Sequence, residues 1–210
     1  MARPVLYVLA GVNGAGKSSI GGHLLEQHGL TWFDPDAFAR ELRRATGCSQ
    51  EDATVAAWQE SIRRLDHAVA TGTTHAFETT LGGATVAGKL FAVTATHDVI
   101  VWFCGLSSPE QHIRRVAARV RAGGHDIPES RIRDRYPRAL LHLVALMPYL
   151  SSLRVYDNST DVLPGDAVPD PMLVLEMADG ALVCPTPDDV DALGLTPDWA
   201  KPLVEAAVAG

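Results

Sequence analysis

One stretch carries an unmistakable chemical pattern. Gly11-Val12-Asn13-Gly14-Ala15-Gly16-Lys17-Ser18 fits G-x-x-x-x-G-K-[ST], the phosphate-binding P-loop. The glycines let successive backbone N–H groups turn inward toward phosphate oxygens. Asn13, Ala15 and Ser19 add further N–H donors to that cradle. A helix opening at Lys17 would aim its positive end at the same place. Lys17 would reach the β- and γ-phosphates, and the Ser18 hydroxyl would ligate Mg²⁺. The pattern predicts an ATP and Mg²⁺ site and leaves the second substrate unnamed.

Two acidic segments offer partners for that site. The first is Asp34-Pro35-Asp36-Ala37-Phe38-Ala39-Arg40. Asp34 followed by proline reads as the cap of a helix. Asp36 could also accept the proton of an attacking hydroxyl, and the two readings are compatible. The second is Phe77-Glu78-Thr79-Thr80, where an apolar run ends in a carboxylate. Glu78 could bind an acceptor hydroxyl or hold Mg²⁺ through water. Alternatively, Thr79 and Thr80 serve only local hydrogen bonds before Gly82-Gly83. The most apolar run, Val99–Cys104, ends without the acid that a motor-type ATPase carries there, which favours a small kinase. Trp102 and Cys104 read as core.

The charge distribution singles out a third segment. The chain is acidic, with net charge −7, yet eight arginines face four acids between Pro109 and Arg138. From Asp157 onward there are eleven acids and one base, Lys201. A local basic island on an acidic chain predicts a compact anionic ligand and argues against nucleic acid as a partner. Arg115 and Arg119, four apart, share a helical face. Gly123-Gly124 breaks that helix and Pro128 opens the next, which carries Arg131, Arg133 and Arg135. Two arginine-bearing helices joined by a flexible turn describe a lid over a transferring phosphoryl group.

The elements that must position these residues follow from periodicity. Strands are expected at Val5–Ala10, Thr31–Phe33, Thr74–Glu78, Asp98–Cys104 and Leu153–Tyr156. Helices are expected at Lys17–Gln27, Pro35–Thr46, Gln50–Thr71, Gly83–Thr94, Pro109–Arg121 and Glu129–Leu150. A hairpin, Met172–Met177 with Ala181–Cys184, and a tail of short helices follow. The alternation predicts an α/β, three-layer P-loop fold of the kinase type, with a parallel sheet flanked by helices and a small C-terminal hairpin. With 210 residues one domain is expected, a core over 1–160 and the hairpin and tail over 161–210. Cys48, Cys104 and Cys184 form no metal or redox spacing. No apolar run approaches membrane-spanning length, and the N-terminus lacks the layout of a leader, so a cytoplasmic protein without a membrane partner is expected.

The stretches LAGVNGAGKSS, FDPDAFAR, FETTLGG, RRVAARVRAGGHDIPESRIRDRY and VYDNS, in this order, resemble the zeta toxin family of P-loop kinases, and more closely its shorter zeta-toxin-like branch. The resemblance covers Val5 to about Ser159. It implies transfer of the ATP γ-phosphoryl group to a hydroxyl of a small acceptor, in the zeta toxins the 3′-hydroxyl of UDP-N-acetylglucosamine. It implies Asp36 as general base and Glu78, with Thr79 and Arg135, at the acceptor. It implies Arg115 and Arg119 at the ATP phosphates, with Lys17 and Arg119 assisting catalysis. The family name also implies a toxin with an antitoxin protein as partner. Two departures remain. Related sequences begin the second motif with Asn where Asp34 stands here, which leaves two carboxylates for one role. The shared core also leaves open another acceptor (an antibiotic, a nucleoside or a different sugar), or ATP binding without transfer.

Overall fold

Val5–Ala10 (β1) is the strand on which the rest of the sheet is registered. The structure, a computed structural model, describes residues 2–18, 21, 29–161 and 169–209. His75–Thr79 (β2) and Asp98–Gly105 (β3) flank β1, both parallel to it. Ser152–Asp157 (β4) runs parallel to β3. Met172–Ala178 (β5) and Ala181–Cys184 (β6) then add antiparallel, giving the order β2-β1-β3-β4-β5-β6. The expected hairpin therefore does not stand apart. It completes one mixed sheet, because β5 presents Leu175 and Met177 to the same core as Val155 and Leu153.

The expected strand at Thr31–Phe33 is reduced to a single bridge. The Phe33 N–H donates to Ala76 O (2.9 Å), and Phe33 O accepts from Glu78 N–H (3.0 Å). Asp34 then caps the next helix, accepting from the N–H groups of Asp36 (2.8 Å) and Ala37 (3.1 Å), which ends any further pairing.

Helices Pro35–Thr46 (α1) and Gln50–Thr71 (α2) follow, then Ala84–Val93 (α3), Pro109–Arg121 (α4) and Glu129–Leu146 (α5). Pro148 stops the expected Glu129–Leu150 helix short, and Met147–Tyr149 closes as one tight 3₁₀ turn. Val190–Gly194 (α6) and Lys201–Ala209 (α7) make the tail. Of the helix expected at Lys17–Gln27, only Lys17, Ser18 and Gly21 lie among the described residues.

Alternation along the strands sorts side chains to two faces. Leu6, Val8 and Ala10 join a core covered by α2, α3, α4, α5 and α7. Tyr7, Leu9 and Trp102 face the other side with Leu30 and Trp32, where Gly21 leaves room for Leu9. Among the described residues no helix is long and apolar enough to cross a membrane.

Candidate functional site

The parallel strands end in register, with Ala10 beside both Thr79 and Phe103, and Gly105 beside Asp157. This brings the P-loop, Glu78 and Asn158 to one sheet edge, where open α/β sheets bind ligands. The loop is tightly braced there. Gly11 has φ +139°, and a side chain on it would collide with the Cys104 carbonyl. Gly16 has φ +85°, and a side chain there would meet the Asn158 amide. In return Asn158 Nδ2 donates to Ala15 O (2.9 Å). His112 Nδ1 donates to Asn13 O (2.9 Å) from a fully buried position, and burial pushes its pKa down to about 4. The imidazole is therefore neutral and acts as a fixed strut. Cys104 is a core thiol pushed up to about 12 by burial.

Lys17 and Glu78 meet in the interior, 6% and 8% exposed. Lys17 Nζ lies 3.2 Å from Glu78 Oε1, and the Ser18 hydroxyl donates to Oε2 at 3.1 Å. Burial raises the Glu78 pKa, and the nearby Asp34 and Asp36 add to it, against the opposing pull of Lys17. This carboxylate is held against the phosphate-binding lysine and the hydroxyl expected to meet the metal.

The two carboxylates of the Asp34–Arg40 segment have different surroundings. Asp34 Oδ1 takes both N–H bonds of the α1 cap. Asp36, 40% exposed, faces an open cleft of about 150 Å³ that Lys17, Glu78 and Arg135 also line. The α1–α2 pair makes the outer wall, close-packed through Ala39, Ala53 and Ala57. Thr79 lines the cleft too, and its hydroxyl accepts the Leu81 N–H (3.1 Å) of the following turn. Across the cleft stand His125, Ile127, Arg131 and Arg135 from the α4–α5 connection and α5.

The arginines divide into two groups. Arg119 Nη1 lies 3.7 Å from Asp36 Oδ2, its Nη2 donates to His125 O (3.3 Å) and faces His125 Nε2 (3.5 Å), and its buried Nε has no hydrogen-bond partner among the described residues. Arg135 Nη1 donates to Asn13 Oδ1 (2.7 Å), which ties α5 to the P-loop; burial, then Arg131, lowers its pKa. Arg115, by contrast, donates to Thr160 O (2.9 Å) and Asp161 Oδ1 (3.2 Å), beside Asn158. Arg133 pairs with Glu110 between the two helices. Ser19 lies outside the described residues. The supports at His112, His125, Asn158 and Trp199 had no assigned role in the sequence. Trp199 Nε1 donates to Asp157 Oδ1 (2.9 Å) and its indole packs on Gly105, beneath the P-loop.

Among the described residues no three His, Cys, Asp or Glu side chains cluster as a metal site. A P-loop Mg²⁺ needs no such cluster. The Ser18 hydroxyl beside the Glu78 carboxylate is a hard-oxygen pair that fits Mg²⁺ together with phosphate oxygens and water.

A family model described as an AAA domain matches residues 6–136, which span the P-loop, Asp36, Glu78, α4 and the start of α5 through Arg135. The structure is similar to the AvrRxo1-ORF1:-ORF2 complex with ATP, at TM-score 0.62 and 13% identity, over 99% of this chain and 64% of that one. It is similar to a protein of Chloroflexus aurantiacus j-10-fl described as a candidate kinase, at TM-score 0.53 and 17% identity, over 64% and 78% of the two chains. It is also similar to the PezAT chromosomal toxin-antitoxin system of Streptococcus pneumoniae, at TM-score 0.52 and 13% identity, over 75% and 68%. At such identities the likeness is one of fold, and this chain spans less than two thirds of the AvrRxo1 chain. No curated protein matches the sequence.

Proposed function

The chain belongs to the AAA-domain family, with a P-loop fold of the kinase-like type, and on that premise we propose that it is an ATP-dependent phosphotransferase acting on a hydroxyl of a small molecule. The observation that carries this reading is one cleft lined by both Lys17 and Asp36. A phosphate-binding ammonium and a solvent-reaching carboxylate then face the same space, as transfer to an acceptor requires and mere nucleotide binding does not.

The residues divide the work. Backbone N–H groups of the P-loop hold the ATP phosphates, and Lys17 turns from Glu78 to the β- and γ-phosphates. Asp36 accepts the acceptor's hydroxyl proton as that oxygen bonds to the γ-phosphorus and the bond to the ADP oxygen breaks. Arg119, loosely held at 3.7 Å, moves to the equatorial phosphate oxygens, and Arg135 supports it from the lid. Ser18, with Glu78 beside it, would hold Mg²⁺, which would neutralise phosphate charge when bound. Asp34 is the less suited base, because its Oδ1 takes both capping N–H bonds.

UDP-N-acetylglucosamine is the first acceptor to test, on the sequence resemblance to zeta-toxin-like kinases. A toxin role with an antitoxin partner has the same support, joined by the likeness in fold to the PezAT toxin-antitoxin system. The test is ATP, Mg²⁺ and a panel of nucleotide sugars, sugars, nucleosides and aminoglycosides, read by mass spectrometry for an added phosphate. Lys17→Ala is the blank. A phosphorylated product names the acceptor. ATP binding with no acceptor-dependent ADP release across the panel would refute transfer and leave a nucleotide-binding regulator.

A further inference from the structure

Asp36 is held from one side by a residue that the reaction as described does not use. His125 sits in the α4–α5 connection, its ring half-buried and lining the same cleft. Its Nε2 lies 3.5 Å from Asp36 Oδ2. Arg119 Nη2 donates to the His125 carbonyl (3.3 Å) and faces the same Nε2 (3.5 Å), while Arg119 Nη1 lies 3.7 Å from the same Asp36 oxygen. One short segment thus meets the base through its ring and the phosphate-side arginine through both ring and backbone.

A carboxylate on a flexible side chain makes a poor base until its orientation is fixed. A guanidinium can only donate, so while Arg119 rests beside the ring its Nη2 holds Nε2 as an acceptor. Once Arg119 moves to the phosphate, the neighbour left to the neutral imidazole is a carboxylate, which can only accept, so the ring must turn an N–H toward it. Such contacts are often long in the empty enzyme and tighten when substrates bind.

We propose that His125 is the positioning residue for Asp36, donating Nε2–H to Oδ2 and leaving the other carboxylate oxygen to take the acceptor's proton. This rests on the role given to Asp36 above. During transfer the acceptor's O–H proton goes to that second oxygen, the new O–P bond forms, and ADP leaves. His125 keeps its proton throughout.

The charge state required of His125 agrees with its surroundings. Burial lowers its pKa, with Arg119 of α4 and Arg40 of α1 acting in the same sense, while Asp36 of α1 and Asp34 at the cap oppose them. At neutral pH the ring is therefore uncharged. In acid it becomes a second cation beside Asp36, next to Arg119, and makes that carboxylate a weaker base. The acid limb of kcat then contains the titration of His125.

Three variants test this. In His125→Ala, kcat should fall about tenfold to a hundredfold, with KM for ATP and acceptor within about twofold. His125→Asn, which keeps an N–H donor without the titration, should restore most of kcat and move its acid limb to lower pH. An unchanged kcat in His125→Ala, or an acid limb that stays put in His125→Asn, would overturn the proposal. The pairing is also read without turnover, by NMR titration of the imidazole protons. The chain has eight histidines, so the His125 resonance is identified by its loss in His125→Asn. In Asp36→Asn its pKa should drop by about one unit, because the carboxylate that favours the cation has gone. No drop would overturn the pairing. Absence of transfer in the unmodified protein would instead remove the reaction proposed above, and the NMR arm would then decide alone whether His125 holds Asp36.

Discussion

Gly105→Ala tests whether the tail braces the nucleotide edge. Gly105 ends β3, and its backbone has no special conformation, so alanine would ordinarily be tolerated or slightly favourable in a strand. Here the added Cβ would overlap Cη2, Cζ3 and Cζ2 of Trp199, the far rim of an indole that is 7% exposed. The ring must leave its slot or push β3 aside. Truncating a buried Trp or Phe to alanine costs about 3–5 kcal/mol, so partial expulsion should cost about 3 kcal/mol. For a chain of this size that is a fall of about 6–12 °C in Tm. Trp199→Phe removes the three colliding atoms and the hydrogen bond to Asp157, at a cost of about 1–3 kcal/mol. Gly105→Ala in the Trp199→Phe background should then cost less than about 0.5 kcal/mol, a coupling of about 3 kcal/mol. Urea denaturation of the four proteins measures the cycle. Simple additivity, or a Gly105→Ala protein as stable as the parent, would refute the packing described here.

Three further outcomes are expected. Arg119→Ala should lower kcat by about a hundredfold or more while the folded chain keeps its Tm, since its contacts to Asp36 are long; steady-state kinetics and calorimetry separate the two. Asn158→Asp should weaken ATP binding about tenfold or more, because a carboxylate would face the Ala15 carbonyl and the phosphates; titration calorimetry reads this directly. His112, held neutral at a pKa of about 4 against an ordinary 6.5, makes the chain acid-sensitive. The unfolded chain takes up a proton there first, so this contribution is present above pH 6.5 and is lost as pH falls toward 4, about 3 kcal/mol in all. His112→Asn keeps a donor for Asn13 and should flatten stability over that window in chemical denaturation.

The sequence made the phosphate loop legible because its chemistry depends on consecutive residues. The elements around it were legible for the same reason: periodicity and caps are local. What depended on contacts between distant residues was not. Thr31–Phe33 has strand composition, yet only Phe33 meets the edge of β2 before Asp34 turns the chain into α1. The hairpin read as an appendage because nothing in its residues says that β4 is its neighbour. Asp34 and Asp36 were equivalent in composition and are separated only by the capping bonds of one and the open cleft before the other. Arg115 and Arg119 share a helical face by spacing, but long side chains end on different partners, Asp161 for one and Asp36 for the other. His112 and Asn158 lie inside apolar or mixed runs, and only their distance to the loop carbonyls shows what they do.

The supports of the phosphate loop are widely spaced along the chain, and synthesis is directional. Residues 11–18 leave the ribosome early, but His112, Asn158 and Trp199 follow in that order. At typical elongation rates the loop precedes its last brace by roughly ten to forty seconds. For that interval the chain carries the nucleotide motif without the site, and competence for ATP should arrive only as the tail closes under β3. Nascent-chain length, rather than the presence of the motif, then sets when binding begins.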